Sequence, residues 1–327
     1  MEENRKLQDS FGRTIDYLRV SVTDRCNLRC IYCMPEGGVG FIPHEEVLRY
    51  EEIVRLCRIF VGMGIRKIRI TGGEPLVRKN ILFLMEELSA LPLKELVITT
   101  NGVLLERYAE GLLKSGIKRV NVSLDSLKAE TFRAVTRVDM FSDVLRGIET
   151  ARSAGLKLKL NVVAMRGIND TEAAEFVRFS LEKGVGLRFI EVMPQYYDEE
   201  VVRKRFIGSE EILEKIASRY AVAPCDGSAE GSVERLYRIG TTDTRFGIIS
   251  AISNPFCKSC NRVRLMANGI VKTCLFGTEG PNLKQMLCEG SGREAIERVI
   301  RDVIMRKPEK HTLDTEAGNL MMNRVGG

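Results

Sequence analysis

The chain is 327 residues long, with 44% hydrophobic and 29% charged residues and a formal net charge of +6, a composition that suits a globular protein with one large core and a smaller second domain. The charge is too small to indicate a nucleic-acid binder and fits an anionic small substrate. No run approaches the roughly 18 apolar residues of a membrane span, and the polar start MEENRKLQDS lacks the apolar core of a signal peptide. A cytoplasmic location is expected, where nine cysteines point to metal ligation or buried thiols rather than disulfides.

The first strand is predicted at residues 17–22. It runs straight into VTDRCNLRCIYCMP, which sets Cys26, Cys30 and Cys33 in a C-x3-C-x2-C spacing. A cubane iron–sulfur cluster normally takes four cysteines, so three leave one iron open to a small molecule, as a catalytic zinc keeps one open position. A zinc knuckle is the alternative, but it needs a fourth donor close by, and the nearest, His44, opens a predicted helix. The loop resembles that of the radical S-adenosylmethionine (SAM) enzymes, whose open iron is chelated by the amino and carboxylate groups of SAM.

Further strands are predicted at 67–71, 96–100, 119–124, 157–164 and 187–193, alternating with helical periodicity at 45–61, 81–88, 106–114, 143–154 and 171–183. Gly64, Gly116, Gly155 and Gly184 each close a helix just before a strand. Cys57 falls on the apolar face of the first helix and reads as core. The rhythm predicts an α/β fold, a partial (βα)6 TIM-like barrel over residues 11–225.

Polar and apolar residues alternate within these strands. Leu18 and Val20 oppose Tyr17, Arg19 and Ser21; Ile68 and Ile70 oppose Arg69 and Thr71; Val120 and Val122 oppose Asn121 and Ser123; Leu158 and Leu160 oppose Lys157, Lys159 and Asn161. A closed eight-stranded barrel is filled by apolar layers, so a polar lining predicts an open barrel around a ligand. The other reading is a sheet face open to solvent, against the habit of helix-covered parallel sheets to be apolar on both faces. After the second strand, Thr71-Gly72-Gly73-Glu74-Pro75 is expected to expose backbone groups to a ligand and to offer the Glu74 carboxylate to an ammonium group.

Beyond Met193 the rhythm fades. A charged run at 198–205 reads as a solvated face, a helix is predicted at 209–219, and a strand pair at 233–239 and 247–252 begins a small C-terminal domain over 226–327. That domain carries Cys257-x2-Cys260-x13-Cys274. A second cluster with an open iron is the preferred reading, and zinc with Cys288 as fourth ligand is the alternative. Next come Arg262 and Arg264 on one face of Asn-Arg-Val-Arg-Leu, suited to phosphate or purine. With Arg19, Arg69 and Lys159 they make five cations aimed at one cavity. Two unit charges about 4 Å apart repel by about 4 kcal/mol near a protein surface, and a bound triphosphate relieves that repulsion. The closing Gly326-Gly327, taken alone, reads as a frayed end.

Together, both cysteine groups, GGEP, NRVRL and the terminal Gly-Gly resemble the GTP 3′,8-cyclase family of molybdenum cofactor biosynthesis, from about residue 11 to Gly327. The resemblance implies two [4Fe–4S] clusters, one on Cys26, Cys30 and Cys33 that cleaves SAM reductively, and one on Cys257, Cys260 and Cys274 whose open iron binds the guanine edge. It implies SAM contacts at Tyr32, Gly73, Glu74, Ser123 and Met193, and GTP contacts at Arg19, Arg69, Thr100, Lys159 and Arg262-Val263-Arg264. Arg262, Arg264 and a Gly326-Gly327 tail reaching the active site would join the first three cysteines in catalysis. The 5′-deoxyadenosyl radical would take the 3′ hydrogen of GTP, and the carbon radical would attack C8 of guanine. The cyclised triphosphate would pass to a cyclic pyranopterin monophosphate synthase, with electrons from a reductant protein of unknown identity. No nucleic-acid or membrane partner is expected, and the protein would be a monomer or homodimer. Met266 and Asn268 depart from the family's usual RLTADG run, and Arg-Val-Gly-Gly replaces its commoner Ile-Gly-Gly. Two competing readings are a radical SAM enzyme acting on a peptide or porphyrin with an auxiliary cluster, and a zinc-stabilised nucleotide-binding protein.

Overall fold

The computed structural model describes residues 6–193, 203–226, 233–277, 280–311 and 322–325. Six strands, β1 (Tyr17–Ser21), β2 (Lys67–Thr71), β3 (Glu95–Thr100), β4 (Arg119–Ser123), β5 (Lys157–Ala164) and β6 (Gly186–Glu191), lie parallel in chain order. Between them run α1 (Tyr50–Gly62), α2 (Ile81–Ser89), α3 (Leu105–Lys114), α4 (Ala129–Thr136), α5 (Phe141–Ser153) and α6 (Ala173–Lys183), followed by α7 (Ser209–Ala217). The apolar half of each strand faces the helices: Leu18, Val20, Ile68, Ile70, Val120, Val122 and Leu160 are fully buried. In α1 the residues Ile53, Leu56, Cys57 and Phe60 recur at helical spacing and are all buried. Gly64, Gly116, Gly155 and Gly184 take positive φ at the helix ends, as their positions predict.

Two helices depart from the sequence pattern. The helix expected from residue 45 breaks into a short turn, His44–Glu46, and α1, because Arg49 and Glu52 form a reciprocal capping pair that fixes a new start. Helix α4 carries no glycine stop; it ends on Arg137, a non-glycine residue at φ 58°.

The strands beyond residue 226 do not stand apart. In the segment after α7, β7 (Val222–Pro224), β8 (Arg235–Ile239) and β9 (Arg245–Ile249) form an antiparallel meander, and β9 lies parallel against β6. At the opposite edge β10 (Arg262–Leu265) lies parallel to β1, with β11 (Val271–Lys272) antiparallel beyond it. The exposed ladders of β1 and β6 are thereby paired. The described sheet runs β11-β10-β1-β2-β3-β4-β5-β6-β9-β8-β7 without closing, a partial barrel extended at both edges. The chain passes from one edge to the other within residues 250–261, and that passage carries Cys257 and Cys260. Two carboxyl-terminal helices follow, α8 (Leu283–Cys288) and α9 (Arg293–Met305), then a last turn, α10 (Met322–Val325).

Candidate active site

The first cysteine loop leaves the carboxyl end of β1 and is laced to the end of α4: Arg29 N–H donates to Thr136 O at 2.9 Å, Ile31 N–H to Val135 O at 2.9 Å, and the Arg137 guanidinium to Met34 O at 3.0 Å. The left-handed end of α4 therefore positions a loop that local sequence alone does not order. Cys26, Cys30 and Cys33 are half-buried free thiols. Burial, then Glu74, pushes Cys26 up to about 11; burial, then Cys26, pushes Cys33 up to about 12; burial, then Asp125 and the other two cysteines, raises Cys30 well above its usual value. Cys26 Sγ receives Leu28 N–H at 3.4 Å, and Cys33 accepts the backbone N–H of Asn323. Three thiols whose anions would repel one another, with N–H donors already on two of them, have the chemistry of iron–sulfur ligands, for which the cluster's cations would take the place of the protons.

The Gly72-Gly73 turn braces this loop with its N–H groups, which leaves its carbonyls as the backbone groups it can offer a ligand. Gly73 N–H donates to Thr23 O at 2.7 Å and Glu74 N–H to Arg25 O at 2.8 Å. A Cβ on Gly73 would collide with the Arg25 carbonyl, and Gly72 sits at φ 144°, so glycine is required by close approach. Glu74 is buried and accepts from Leu76 N–H (2.9 Å), Thr100 Oγ1 (2.8 Å) and Asn101 N–H (2.6 Å), pinning the end of β3 to the turn. Burial raises it to about 7 against the pull of those three donors.

Around the same end of the barrel, the Tyr32 hydroxyl donates to Asp125 Oδ2 at 2.6 Å, and Val163 N–H donates to Asp125 Oδ1 at 2.8 Å. Burial raises Asp125 to about 6, opposed by those hydrogen bonds. Sequence reasoning missed Asp125; its signal was its place just past a strand's carboxyl end, where barrel enzymes keep working residues. Ser123 is half-buried at the end of β4, and Met193, also half-buried, follows β6. The chain's last described residues reach this loop as well. Asn323 Nδ2 donates to Asp24 O at 2.8 Å, Arg324 to Gly40 O at 2.8 Å, and Val325 is buried. Gly326 and Gly327 lie outside the described residues.

The predicted cations converge on the lining. Arg264, Arg19 and Arg69 are register partners across β10, β1 and β2 and are all buried. Burial, then Arg264, pushes Arg19 well below its usual range; burial, then Arg262, lowers Arg264 to about 10. Arg69 donates to the Tyr17 hydroxyl and, at 3.0 Å, to Thr99 Oγ1. Burial would raise Tyr17, but Arg69, Arg19, Lys67 and Arg262 bring it down to about 8. Lys159 reaches Glu234 at 2.9 Å, and Arg188, a lining residue of β6 that sequence reasoning passed over, reaches the same carboxylate at 2.5 Å. Thr100 spends its hydroxyl on Glu74 and Gly102 N–H; within β3 it is Thr99 that meets a cation. Val263 is buried on the helix side of β10, opposite its two arginines.

Cys257, Cys260 and Cys274 are half-buried free thiols near β10. Burial would raise Cys260, but Arg262 and Lys307, with hydrogen bonds from Arg262, bring it down to about 6. Lys307 is itself buried at the end of α9 and donates to Arg262 O at 3.0 Å and to Thr273 O. His311 Nδ1 lies 3.1 Å from Cys257 Sγ, its ring against Phe276 with centroids 4.7 Å apart. Cys288 is exposed on α8 and His44 is exposed, so neither shares a half-buried pocket with its cysteine group. Three thiols under a surplus of cations fit a second cluster.

Two family models match the chain, one described as the Radical SAM superfamily over residues 20–180 and one as Molybdenum Cofactor Synthesis C over residues 185–313. An open parallel barrel whose first strand empties into three cysteines makes this a radical SAM enzyme. The GTP 3′,8-cyclase of Geobacter sulfurreducens is 43% identical over 327 residues, covering 98% of this chain and 100% of that protein; the one from Desulforamulus reducens is 45% identical, covering 98% and 99%. Within its class, the chain belongs to the GTP 3′,8-cyclase family, with SAM and two [4Fe–4S] clusters as cofactors. Among solved structures, SuiB of Streptococcus suis bound to S-adenosylmethionine shares the fold, with a TM-score of 0.59 and 16% identity, covering 95% of this chain and 75% of that one.

Proposed function

We propose that the chain cyclises GTP to (8S)-3′,8-cyclo-7,8-dihydroguanosine 5′-triphosphate, the first step of molybdenum cofactor biosynthesis, with SAM at the first cysteine loop and GTP laid along the cationic lining toward the second. What carries the placement is the row Arg264-Arg19-Arg69, three buried guanidinium groups side by side between two three-cysteine sites. A polyanion offsets their repulsion, and guanidinium forks match phosphate oxygens.

Cys26, Cys30 and Cys33 would hold the cluster, which would supply the electron for reductive SAM cleavage and thereby the radical chemistry at C3′ of GTP. Tyr32, Gly73, Glu74, Ser123 and Met193 surround the SAM position at the carboxyl ends of the strands. Glu74 and Asp125, both buried carboxyls, favour the positive charge of a sulfonium and an ammonium group. Arg19, Arg69, Arg264 and Lys159 would bind the triphosphate, and Thr100, by pinning Glu74, would couple the two ligand positions. Arg262, whose guanidinium carbon lies 4.7 Å from the Phe256 ring centroid, would orient the purine beside Cys257, Cys260 and Cys274. Residues 11–225 thus supply the radical site and part of the triphosphate lining, and 226–327 the second cysteine group with Arg262 and Arg264. A cytoplasmic reductant protein and a cyclic pyranopterin monophosphate synthase are the partners before and after the reaction. Among the described residues no helix is long and apolar enough to cross a membrane.

Anaerobic incubation of the reconstituted protein with dithionite, SAM and GTP tests the proposal. The expected products are 5′-deoxyadenosine and a cyclised nucleotide in equal amounts. SAM cleavage that leaves GTP unchanged would contradict it.

A further inference from the structure

The cationic lining already holds an anion of the chain's own. Glu234, just before β8, lays its carboxylate across two cations from different strands, Oε1 at 2.9 Å from Lys159 Nζ of β5 and Oε2 at 2.5 Å from Arg188 Nε of β6. Its side chain is 11% exposed. The seat is shaped for it: a Cβ on Gly247 of β9 would stand 2.5 Å from Glu234 Oε2 and 3.1 Å from Glu234 Cβ, so any larger residue there would push the carboxylate away. Gly247 is the register partner of Arg188, and Lys159 is the partner of Asn121 on the lining. Two oxygens on two cations reproduce the way a phosphate bridges a pair of basic side chains. One carboxylate does not exhaust the positive charge: burial, Arg188 and Arg119 hold the Lys159 ammonium below its usual range even with Glu234 in contact.

We propose that Glu234 is a resident stand-in for substrate phosphate: it holds Lys159 and Arg188 in the nucleotide-free protein, and an entering oligophosphate must displace it from both. The inference rests on the placement of the triphosphate at Lys159. Displacement makes the carboxylate a competitor of the ligand, so it lowers oligophosphate affinity and keeps small anions out of the lining. A role confined to fastening β8 to the barrel would leave anion affinity unmoved and lower only thermal stability.

The test is anaerobic calorimetry of the two-cluster protein with GTP and, separately, with inorganic triphosphate. Glu234→Gln keeps the side-chain shape and removes the charge; it should bind both ligands about tenfold more tightly, the scale of a single close charge pair. Glu234→Asp, too short to reach both cations, should fall between. In a Lys159→Ala, Arg188→Ala background the same Gln substitution should change nothing, because no cation pair is left to contest. Unchanged or weaker binding in both Glu234 variants, with Lys159→Ala alone still weakening GTP, would overturn the proposal. GTP affinity untouched by Lys159→Ala would instead overturn the placement on which it rests.

Discussion

Cys26, Cys30 and Cys33 stand among carboxyls, with Glu74 pressing on Cys26 and Asp125 on Cys30, whereas Cys260 stands between Arg262 and Lys307. The same inventory of three thiols is therefore set in opposite fields. The acidic end suits a ligand carrying a sulfonium and an ammonium group, and the basic end suits the acceptor edge of a purine whose triphosphate lies along the neighbouring arginines. One barrel can sort two ligands by charge without a wall between them, because each end attracts the ligand of opposite charge and repels the other.

The largest effects should come from breaking one site at a time. Cys30→Ala should abolish 5′-deoxyadenosine formation, while Cys274→Ala should retain SAM cleavage and lose the cyclised product; each should lower iron from about eight to about four per chain, checked by iron analysis and product assay. Next in size, Arg264→Ala should weaken GTP binding by about ten- to a hundredfold, the scale of a buried charge-assisted hydrogen bond. SAM binding should be unchanged, and calorimetry with each ligand separates the two. A smaller effect is expected at Lys307. Since that cation helps to hold Cys260 down to about 6, Lys307→Met should raise the thiol, and alkylation of Cys260 in metal-free protein at pH 6.5 should slow about threefold, Arg262 still holding the thiol down, as read by mass spectrometry.

The smallest concerns Glu74. Its folded value is raised from 4.5 to about 7, so between those limits the folded protein keeps a proton that the unfolded chain releases. Stability from this group is therefore present in acid and is lost as pH rises through that window. Glu74→Gln should flatten the pH dependence of the melting temperature of metal-free protein between pH 5 and 7.

The strands and their lining were legible because Leu18, Ile68, Val120 and Leu158 alternate with Arg19, Arg69, Asn121 and Lys159, and alternation is a local signal. The same rule applied to Leu187-Arg188-Phe189 would have found Arg188. Helix α4 was hidden by its stop, an arginine held in a glycine-like conformation by Arg29 O and Met34 O. The joining of β9 to β6 and of β10 to β1 depends on which ladders are free after the barrel forms, a fact no window of sequence contains. Lys307 and Glu234 were unreadable for the same reason: each is an ordinary charged residue until the fold carries it to Cys260 or to Lys159. Of the GGEP turn, the motif was visible but its partner was not, since its N–H groups serve Thr23 and Arg25.

The central claim is that the second three-cysteine site meets the purine and the first does not. Electron paramagnetic resonance of a Cys26→Ala, Cys30→Ala, Cys33→Ala variant, reduced with dithionite and holding only the second cluster, tests it most directly. Adding GTP should change the spectrum and show hyperfine coupling to ¹⁵N-labelled guanine, whereas adding SAM should leave it as it was. A spectrum indifferent to GTP, or one that responds to SAM, would contradict the account.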